Sequence, residues 1–388
     1  SEFPNKAGLW RRFAMFEKKY GSSDAFIEVL KKAVVHRSEV EEFWLMCAKE
    51  IWVTKNDVDG ARSILLEAAS ANPDSDNIWL AAVKLEFESG EYDKARELLE
   101  KARVNANAAR VWMKSAVFER NAGHDQQEWN ILKQAITEFP TFDKLWIMAG
   151  QWHERKNDIP SAREYYLRGL QNNPKSIALW LCLAKMEFNT GGATKARPVL
   201  DKARLRNPAS PELWLASVRI EKKDIDVAKS VLAKALQECP KSGLLWAKSI
   251  DLEIRAKQKA QGALALRNCE DPLVFISIAR ILWRERKLDK AKEWLTRAIT
   301  ANKDLGDAWI NLYAFELEHG TQESQEEVLK NCVLSDPHHG ELWTKTSKDV
   351  KNHMMSTKDI LITAALNLGV ELEKDTFSTY VAPSEATE

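Results

Sequence analysis

The side chains of this chain that could carry catalysis or bind a metal are its cysteines, histidines and carboxylates. Its five cysteines are scattered, without the Cys-x-x-Cys spacing of a zinc site or a redox pair. The adjacent His338 and His339 fall in a predicted loop, and the seven histidines form no His-Glu-x-x-His motif. The glycines before Lys195 lack the Gly-x-x-x-x-Gly-Lys spacing that cradles phosphate. The sequence therefore predicts no enzyme, no metal and no cofactor, and it favours reduced thiols.

One carboxylate recurs at a fixed position, seven residues after a repeated tryptophan. The members of this set are Glu17, Glu86, Glu119, Glu187, Glu221, Glu253 and Glu316, with Glu50 and Glu154 one residue out of register. A carboxylate repeated so often is typical of architecture rather than of acid–base catalysis. We interpret it as an acceptor that is held between neighbouring units and meets an arginine of a second helix, such as Arg62 or Arg96.

The tryptophans themselves identify the elements that position these carboxylates. An aromatic residue returns every 29 to 35 residues, at Trp10, Trp44, Trp79, Trp112, Trp146, Trp180, Trp214, Trp246, Phe275, Trp309 and Trp343. A fixed period in this range indicates stacked supersecondary units rather than one globular core. The sequence therefore predicts an all-α, right-handed α-solenoid of about eleven helix–turn–helix units, and such a surface favours binding over catalysis.

Each unit has the pattern of two short amphipathic helices followed by a stop. In the unit of Trp79 the first helix is predicted to end at Gly90, and the second carries Ala95 and Ala102 on one face. Small side chains at these two positions let helix axes approach closely. Proline ends many of the other units, as at Pro140, because it cannot continue a helix.

Basic residues five positions after the repeated aromatic form a second pattern. They are Lys49, Lys84, Lys185, Arg219, Arg280 and Lys348. The first helices of such arrays line up side by side, so these residues would form a broken basic stripe on one face. By analogy with tetratricopeptide repeats, that face is the concave one, where extended peptides lie. We favour a solvated or glutamate-paired helix face, and we keep a partner-binding stripe as the alternative.

Composition narrows the class of protein further. The 388 residues carry 57 Lys plus Arg and 57 Asp plus Glu. This balance of charge argues against nonspecific binding of nucleic acid through its phosphates. The sequence shows neither a membrane span nor a signal peptide. We predict a cloning remnant and lead-in over residues 1–7, one continuous repeat array over 8–370, and a disordered acidic tail over 371–388.

Two features together resemble the half-a-tetratricopeptide (HAT) repeat of RNA-processing assemblies. These are the glutamate, which stands where the tetratricopeptide pattern has an aromatic, and the Ala-Arg pair of the second helix. Segments 196–214, 236–246, 304–309 and 316–343 further resemble the family of pre-mRNA-processing factor 6. The resemblance covers about residues 8–368 and implies an excised C-terminal repeat region.

This resemblance implies a non-catalytic nuclear scaffold that bridges the U5 and U4/U6 particles of the U4/U6-U5 tri-snRNP. The implied partners are the large U5 core protein, the U4/U6-unwinding helicase and the U4/U6-side proteins. RNA contact is expected to be secondary, and neither a membrane nor a small-molecule substrate is expected.

Three alternatives stay open: a direct RNA-binding helical-repeat protein, a HAT scaffold of another RNA-processing complex, and the repeat arm of an enzyme. Pentatricopeptide proteins, which read one base per repeat, lack the tryptophan–glutamate signature.

Two local irregularities interrupt the repeat pattern. Trp129 occupies a position where an arginine is expected, and the short stretch from Trp246 to Phe275 lacks the Ala-Arg signature, which predicts a change of pitch there.

Overall fold

In the computed structural model, residues 6–221, 224–349, 352 and 355–373 are described, and they form 21 helices and no β-strand. The helices are α1 (Ala7–Tyr20), α2 (Ser23–His36), α3 (Glu41–Lys55), α4 (Val58–Ala71), α5 (Asp76–Glu88), α6 (Tyr92–Asn105), α7 (Ala109–Asn121), α8 (Asp125–Glu138), α9 (Asp143–Arg155), α10 (Ile159–Asn172), α11 (Ile177–Arg206), α12 (Pro211–Ile220), α13 (Ile225–Glu238), α14 (Gly243–Asp251), α15 (Arg255–Asn268), α16 (Pro272–Arg284), α17 (Leu288–Ala301), α18 (Gly306–His319), α19 (Gln322–Ser335), α20 (Glu341–Ser347) and α21 (Thr357–Glu373).

The helices follow one another as the predicted pairs. Helix α11 contains both helices of one unit, because the backbone leaves helical geometry at Gly191 and Gly192, where Gly192 has a positive φ of 68°. Within the described residues this gives eleven helix–turn–helix units, and the predicted all-α solenoid class is confirmed. Helix α21 passes the predicted boundary at residue 370, and the rest of the predicted tail lies outside the described residues, as do residues 1–5 of the predicted lead-in.

Short polar residues fix where many helices begin. The side chains of Ser22, Asp57, Ser75, Asp158, Asp224, Ser242, Asp271 and Thr321 each accept a hydrogen bond from a backbone N–H of the first helical turn. Such caps satisfy donors that a helix cannot pair internally. Residues in left-handed geometry, such as Gly90 and Gly123, turn the chain between the two helices of a unit.

The predicted small residues lie where helices cross. Ala61, Ala68, Ala95, Ala102, Ala162, Ala196, Ala203, Ala291 and Ala298 have no exposed surface. Gly169 shows how close the approach is, since a Cβ atom there would lie 2.7 Å from Cβ of Trp146. Any larger side chain would therefore force two helices of that unit apart.

Packing divides the chain into two units, Ser1–Met186 and Glu187–Glu388, called here the N-terminal and C-terminal units. In the N-terminal unit, a core that includes Phe26, Phe43 and Leu65 runs across successive helix pairs. In the C-terminal unit, helix α18 is buried over Gly306–Glu316 because α17, α19, α20 and α21 all pack on it. A single continuous array over 8–370 stays a prediction.

Candidate partner-binding grooves

Each of seven repeat tryptophans holds the turn that precedes it. Its indole Nε1 donates a hydrogen bond of 2.7–2.9 Å to the backbone carbonyl oxygen six residues earlier. The pairs are Trp44–Ser38, Trp79–Pro73, Trp146–Pro140, Trp180–Pro174, Trp214–Pro208, Trp246–Pro240 and Trp309–Lys303. Trp112 donates instead to Oδ1 of Asn107, at 2.9 Å. Phenylalanine has no such donor, so this bond explains why tryptophan recurs.

The residue before the proline connects consecutive turns. Nδ2 of Asn72 donates to the carbonyl oxygen of Ser38 at 2.8 Å, and Nδ2 of Asn173 donates to that of Pro140 at 3.2 Å. The same two oxygens accept the indole bonds of Trp44 and Trp146. Asparagine directly precedes proline at both positions, but nothing in the spacing of these residues indicates a hydrogen bond to the previous turn.

The recurring glutamate forms an ion pair with a basic residue on the second helix of the preceding unit, as predicted. Arg62 donates to both oxygens of Glu86, Arg96 to both of Glu119 and Arg197 to both of Glu221, at 2.6–3.3 Å. Lysine takes the arginine's place in the pairs Lys229–Glu253, Lys259–Glu285 and Lys292–Glu316, at 2.7–3.0 Å. The Lys259–Glu285 pair was missed because Glu285 lies ten residues after Phe275 rather than seven.

The paired glutamates Glu86, Glu119 and Glu221 are buried, and their charge is balanced by the bonds that they accept. Burial alone raises the pKa of Glu119, but the hydrogen bonds from Arg96 and His124 outweigh it, so that this pKa lies below its ordinary value. The hydrogen bonds that Arg62 donates to Glu86 raise the pKa of Arg62. Removing one partner of such a pair would leave a buried charge unpaired, which is costly.

The two near-register glutamates differ, since Glu50 accepts from Ser23, and Glu154 from the Tyr166 hydroxyl of its own unit.

The irregular unit of Trp129 reverses the usual arrangement. Fully buried Glu128 stands at the usual alanine position and accepts hydrogen bonds from Arg120 at 2.9 Å and from Arg155 at 2.6 Å. Trp129 takes the arginine position and stacks on Trp152, with ring centroids 4.7 Å apart. Here the carboxylate lies on the second helix and the arginines lie on the two first helices, so the interface stays neutralised.

Two of the predicted stripe residues line one open groove in the N-terminal unit. Lys49 of α3 and Lys84 of α5 are both exposed and both line a cavity of about 490 Å³. The Nζ atom of Lys84 lies 5.9 Å from the ring centroid of Trp52 and 3.6 Å from Glu88. Lys185, the third stripe residue of this unit, is exposed on α11.

In the C-terminal unit, two stripe residues are instead bound to neighbouring helices. Nη2 of Arg219 donates to both carboxylate oxygens of Glu341 at 2.7 Å, although 122 residues separate them. Nε of Arg280 donates to Oδ1 of buried Asn311 at 2.8 Å. Both arginines line a smaller cavity of about 210 Å³. Lys348 is exposed at the end of α20.

Asp307 lies beside these arginines and holds the start of α20. Its oxygens accept the backbone N–H groups of Glu341 at 2.8 Å and of Trp343 at 3.0 Å. Burial raises the pKa of Asp307 in spite of these two bonds. Nothing in the spacing of Asp307 distinguishes it from a surface aspartate, and only the packing of α18 against α20 gives it this role.

The described residues hold no cluster of three or more histidine, cysteine or acidic side chains arranged to bind a metal. The five cysteines are free thiols, and burial raises the pKa of Cys47 and Cys182 to about 11 and that of Cys332 to about 12. Thiols of this kind are mostly protonated at neutral pH and react slowly. A search of the described residues for a helix both long and apolar enough to span a membrane found none.

Comparison with known proteins agrees with this repeat architecture. Tetratricopeptide repeat family models match residues 53–116, 143–186 and 274–305. Pre-mRNA-splicing factor prp1 of Schizosaccharomyces pombe is 41% identical over 362 residues, which cover 92% of this chain and 40% of that protein. Pre-mRNA-processing factor 6 of Homo sapiens is 46% identical over 108 residues, which cover 28% of this chain and 12% of that protein.

A more distant relative extends the same series. Pre-mRNA-splicing factor 6 of Saccharomyces cerevisiae is 23% identical over 239 residues, which cover 59% of this chain and 26% of that protein. The chain thus spans less than half the length of the relatives it matches. Similarity over nearly the whole repeat region, on a structure with the predicted helix pairs and glutamate–arginine contacts, shows that the chain belongs to the pre-mRNA-processing factor 6 family.

Proposed function

We propose that this chain is a non-catalytic scaffold of pre-mRNA splicing that acts in the nucleus. Through protein–protein contacts it bridges the U5 and U4/U6 particles of the U4/U6-U5 tri-snRNP. The observation that supports this function is the 41% identity with a splicing factor across 92% of the chain. The large U5 core protein, the U4/U6-unwinding helicase and the U4/U6-side proteins are the proposed partners, and RNA contact is secondary.

The use of charged groups in the repeats is consistent with a scaffold. Six of the repeated interfaces described above use a basic residue and a glutamate to join one unit to the next. These carboxylates are committed to architecture and are not available for proton transfer. Binding capacity would then come from grooves between first helices, such as the one beside Lys49 and Lys84.

Affinity capture from nuclear extract tests this proposal. The immobilised chain is incubated with extract, with and without ribonuclease, and the retained proteins and RNAs are identified by mass spectrometry and sequencing. We expect proteins of both the U5 and U4/U6 particles to be retained after ribonuclease treatment. An unrelated tetratricopeptide-repeat protein of similar length serves as the control. Retention that depends wholly on RNA, or retention of another complex, would contradict the proposal.

A further inference from the structure

The groove between α3 and α5, called here the α3–α5 groove, is bordered by an aromatic residue whose counterpart in the next helix pair is packed between other rings. Trp52, eight residues after Trp44, is half-buried in its wall, and the neighbouring Val53 is 66% exposed. In the next unit the equivalent position holds Phe87, which packs edge-on against Tyr92 and Phe118. Phe87 is thus held between two other rings, whereas Trp52 lines an open groove.

Apolar side chains cover most of the wall of this groove. Leu45, Ala48, Ala61, Leu65, Ala81 and Leu85 contribute to it together with Trp52 and Val53. Its volume of about 490 Å³ lies in the range of natural ligand pockets, about 300–1,000 Å³. Apolar walls of this extent favour a ligand that buries apolar side chains.

The polar groups at the edge of the groove give it positive charge and a capacity for hydrogen bonding. Lys49 forms no ion pair within the described residues, and Lys84 has only the long, exposed contact with Glu88. Asn56, whose left-handed backbone (φ 54°) ends α3, forms no side-chain hydrogen bond within the same residues. Its amide offers both donors and an acceptor, which is the set that an extended peptide backbone needs.

We propose that the α3–α5 groove binds an extended, acidic peptide segment that carries apolar side chains. Lys49 and Lys84 bind its carboxylates, Asn56 binds its backbone, and Trp52 and Val53 receive an apolar side chain. This site rests on the proposed scaffold function and names the chemistry of one of its partners. It is confined to two helix pairs of the N-terminal unit, in place of a stripe along the whole chain.

Charge and shape favour a peptide over RNA at this groove. Single-stranded RNA is bound by exposed aromatic faces together with a basic track that neutralises successive phosphates. Here the groove contains two lysines and also Glu88, and the wall around them is mostly apolar. A segment that alternates acidic and apolar residues can pair with the two lysines and cover the apolar wall at once.

Selection from a display library of random ten-residue peptides tests the site. The chain is the bait, and the double variant Lys49→Glu plus Lys84→Glu is used for counter-selection. We expect the enriched peptides to combine acidic and apolar residues. The most enriched peptide is then synthesised, and its affinity is measured by fluorescence anisotropy at low and high salt, beside a ten-nucleotide uridine RNA.

Matched variants separate local from general charge effects. The Lys49→Glu plus Lys84→Glu variant should bind the peptide at least about tenfold more weakly, because two attractions become repulsions. Lys144→Glu plus Lys175→Glu, which reverses two exposed lysines elsewhere in the N-terminal unit, should bind as the original chain does. Val53→Asp tests the apolar contact, and unchanged thermal unfolding confirms that each variant is folded.

Three results would overturn the site: no enrichment of acidic residues, equal peptide binding by both double variants, or tighter binding of the RNA than of the peptide. Failure of the α3–α5 groove is distinguishable from failure of the scaffold function. In the first case nuclear-extract capture still retains U5 and U4/U6 proteins, whereas in the second case it does not.

Discussion

Residues at one and the same repeat position have different partners in the two units of this protein. In the N-terminal unit, Lys49 and Lys84 border an open groove and are exposed to solvent. In the C-terminal unit, Arg219 is bound to Glu341 and Arg280 to Asn311. The repeat period makes these residues equivalent in sequence, but it does not determine what lies opposite each of them.

The difference shows that a basic stripe on a repeat protein is not one functional surface. Where helix α20 packs near α18, it supplies Glu341 as a partner and the arginine becomes part of the structure. In the N-terminal unit the two lysines remain available to a ligand. A charge reversal of Arg219 would therefore break an ion pair as well as change the charge of this face.

Asp307→Ala is expected to have the largest effect on the comparison between the two units. It removes the acceptor of the Glu341 and Trp343 N–H groups and leaves both without a partner. We expect the free energy of unfolding of the C-terminal unit to fall by about 2–3 kcal/mol. Urea unfolding followed by tryptophan fluorescence measures it, with exposed Asp226→Ala as the control. A loss equal to that of the control would show that Asp307 does not hold α20.

The hydrogen bonds from tryptophan to the preceding turn should contribute differently to the stability of the N-terminal and C-terminal units, with a smaller effect than that of Asp307→Ala. Trp146→Phe leaves the Pro140 oxygen with the Asn173 donor, whereas Trp214→Phe leaves the Pro208 oxygen with the weak Cys239 thiol, whose Sγ lies 3.9 Å away. We expect losses of about 1 kcal/mol for Trp146→Phe and about 2 kcal/mol for Trp214→Phe.

The same urea titration measures both variants. Their losses can be compared directly, because each variant removes one indole N–H and leaves an aromatic ring in place. Trp246→Phe gives a further reference for loss of the bond to Pro240. Equal losses for Trp146→Phe and Trp214→Phe would mean that the asparagine donor contributes nothing to the turn.

A double-mutant cycle compares the two basic residues themselves. Arg219→Gln and Glu341→Gln, made singly and together, should give a coupling energy of about 0.5–1 kcal/mol, since Nη2 contacts both carboxylate oxygens but the pair is partly exposed. The corresponding cycle on Lys84 and Glu88 should give about 0.3 kcal/mol or less, the value of an exposed helical pair. Equal coupling in the two cycles would remove the distinction between the open and the bound residue.

The smallest expected effect concerns pH. Because the folded pKa of Glu119 lies below its ordinary value of 4.5, its contribution to stability is complete above that pH. That contribution is lost as the pH falls through the lower folded value. Glu119→Gln should therefore reduce the steepness with which the N-terminal unit loses stability in acid. Thermal unfolding between pH 3 and 7 measures it, and an unchanged acid profile would contradict the assignment.

The repeat period predicted the helix pairs, the buried small residues and the glutamate–arginine contacts, because each depends on residues at a fixed spacing in adjacent units. Arg62 and Glu86, for example, are brought together by any stacking of one such unit on the next. The glutamate–arginine pattern failed where that spacing changes, at Lys259 and Glu285 and at Glu128 and Trp129. There a different pair of residues neutralises or fills the same interface.

The sequence by itself determined the all-α repeat class and the pairing of the recurring glutamate with a basic residue, since these are nearest-neighbour properties of a periodic chain. Only the tertiary structure decided which basic residues are open and which are bound. That choice depends on contacts between distant residues, such as Arg219 and Glu341, and on how single side chains pack: Phe87 lies against Phe118, whereas Trp52 lines an open groove. A periodic pattern carries no information about either kind of contact.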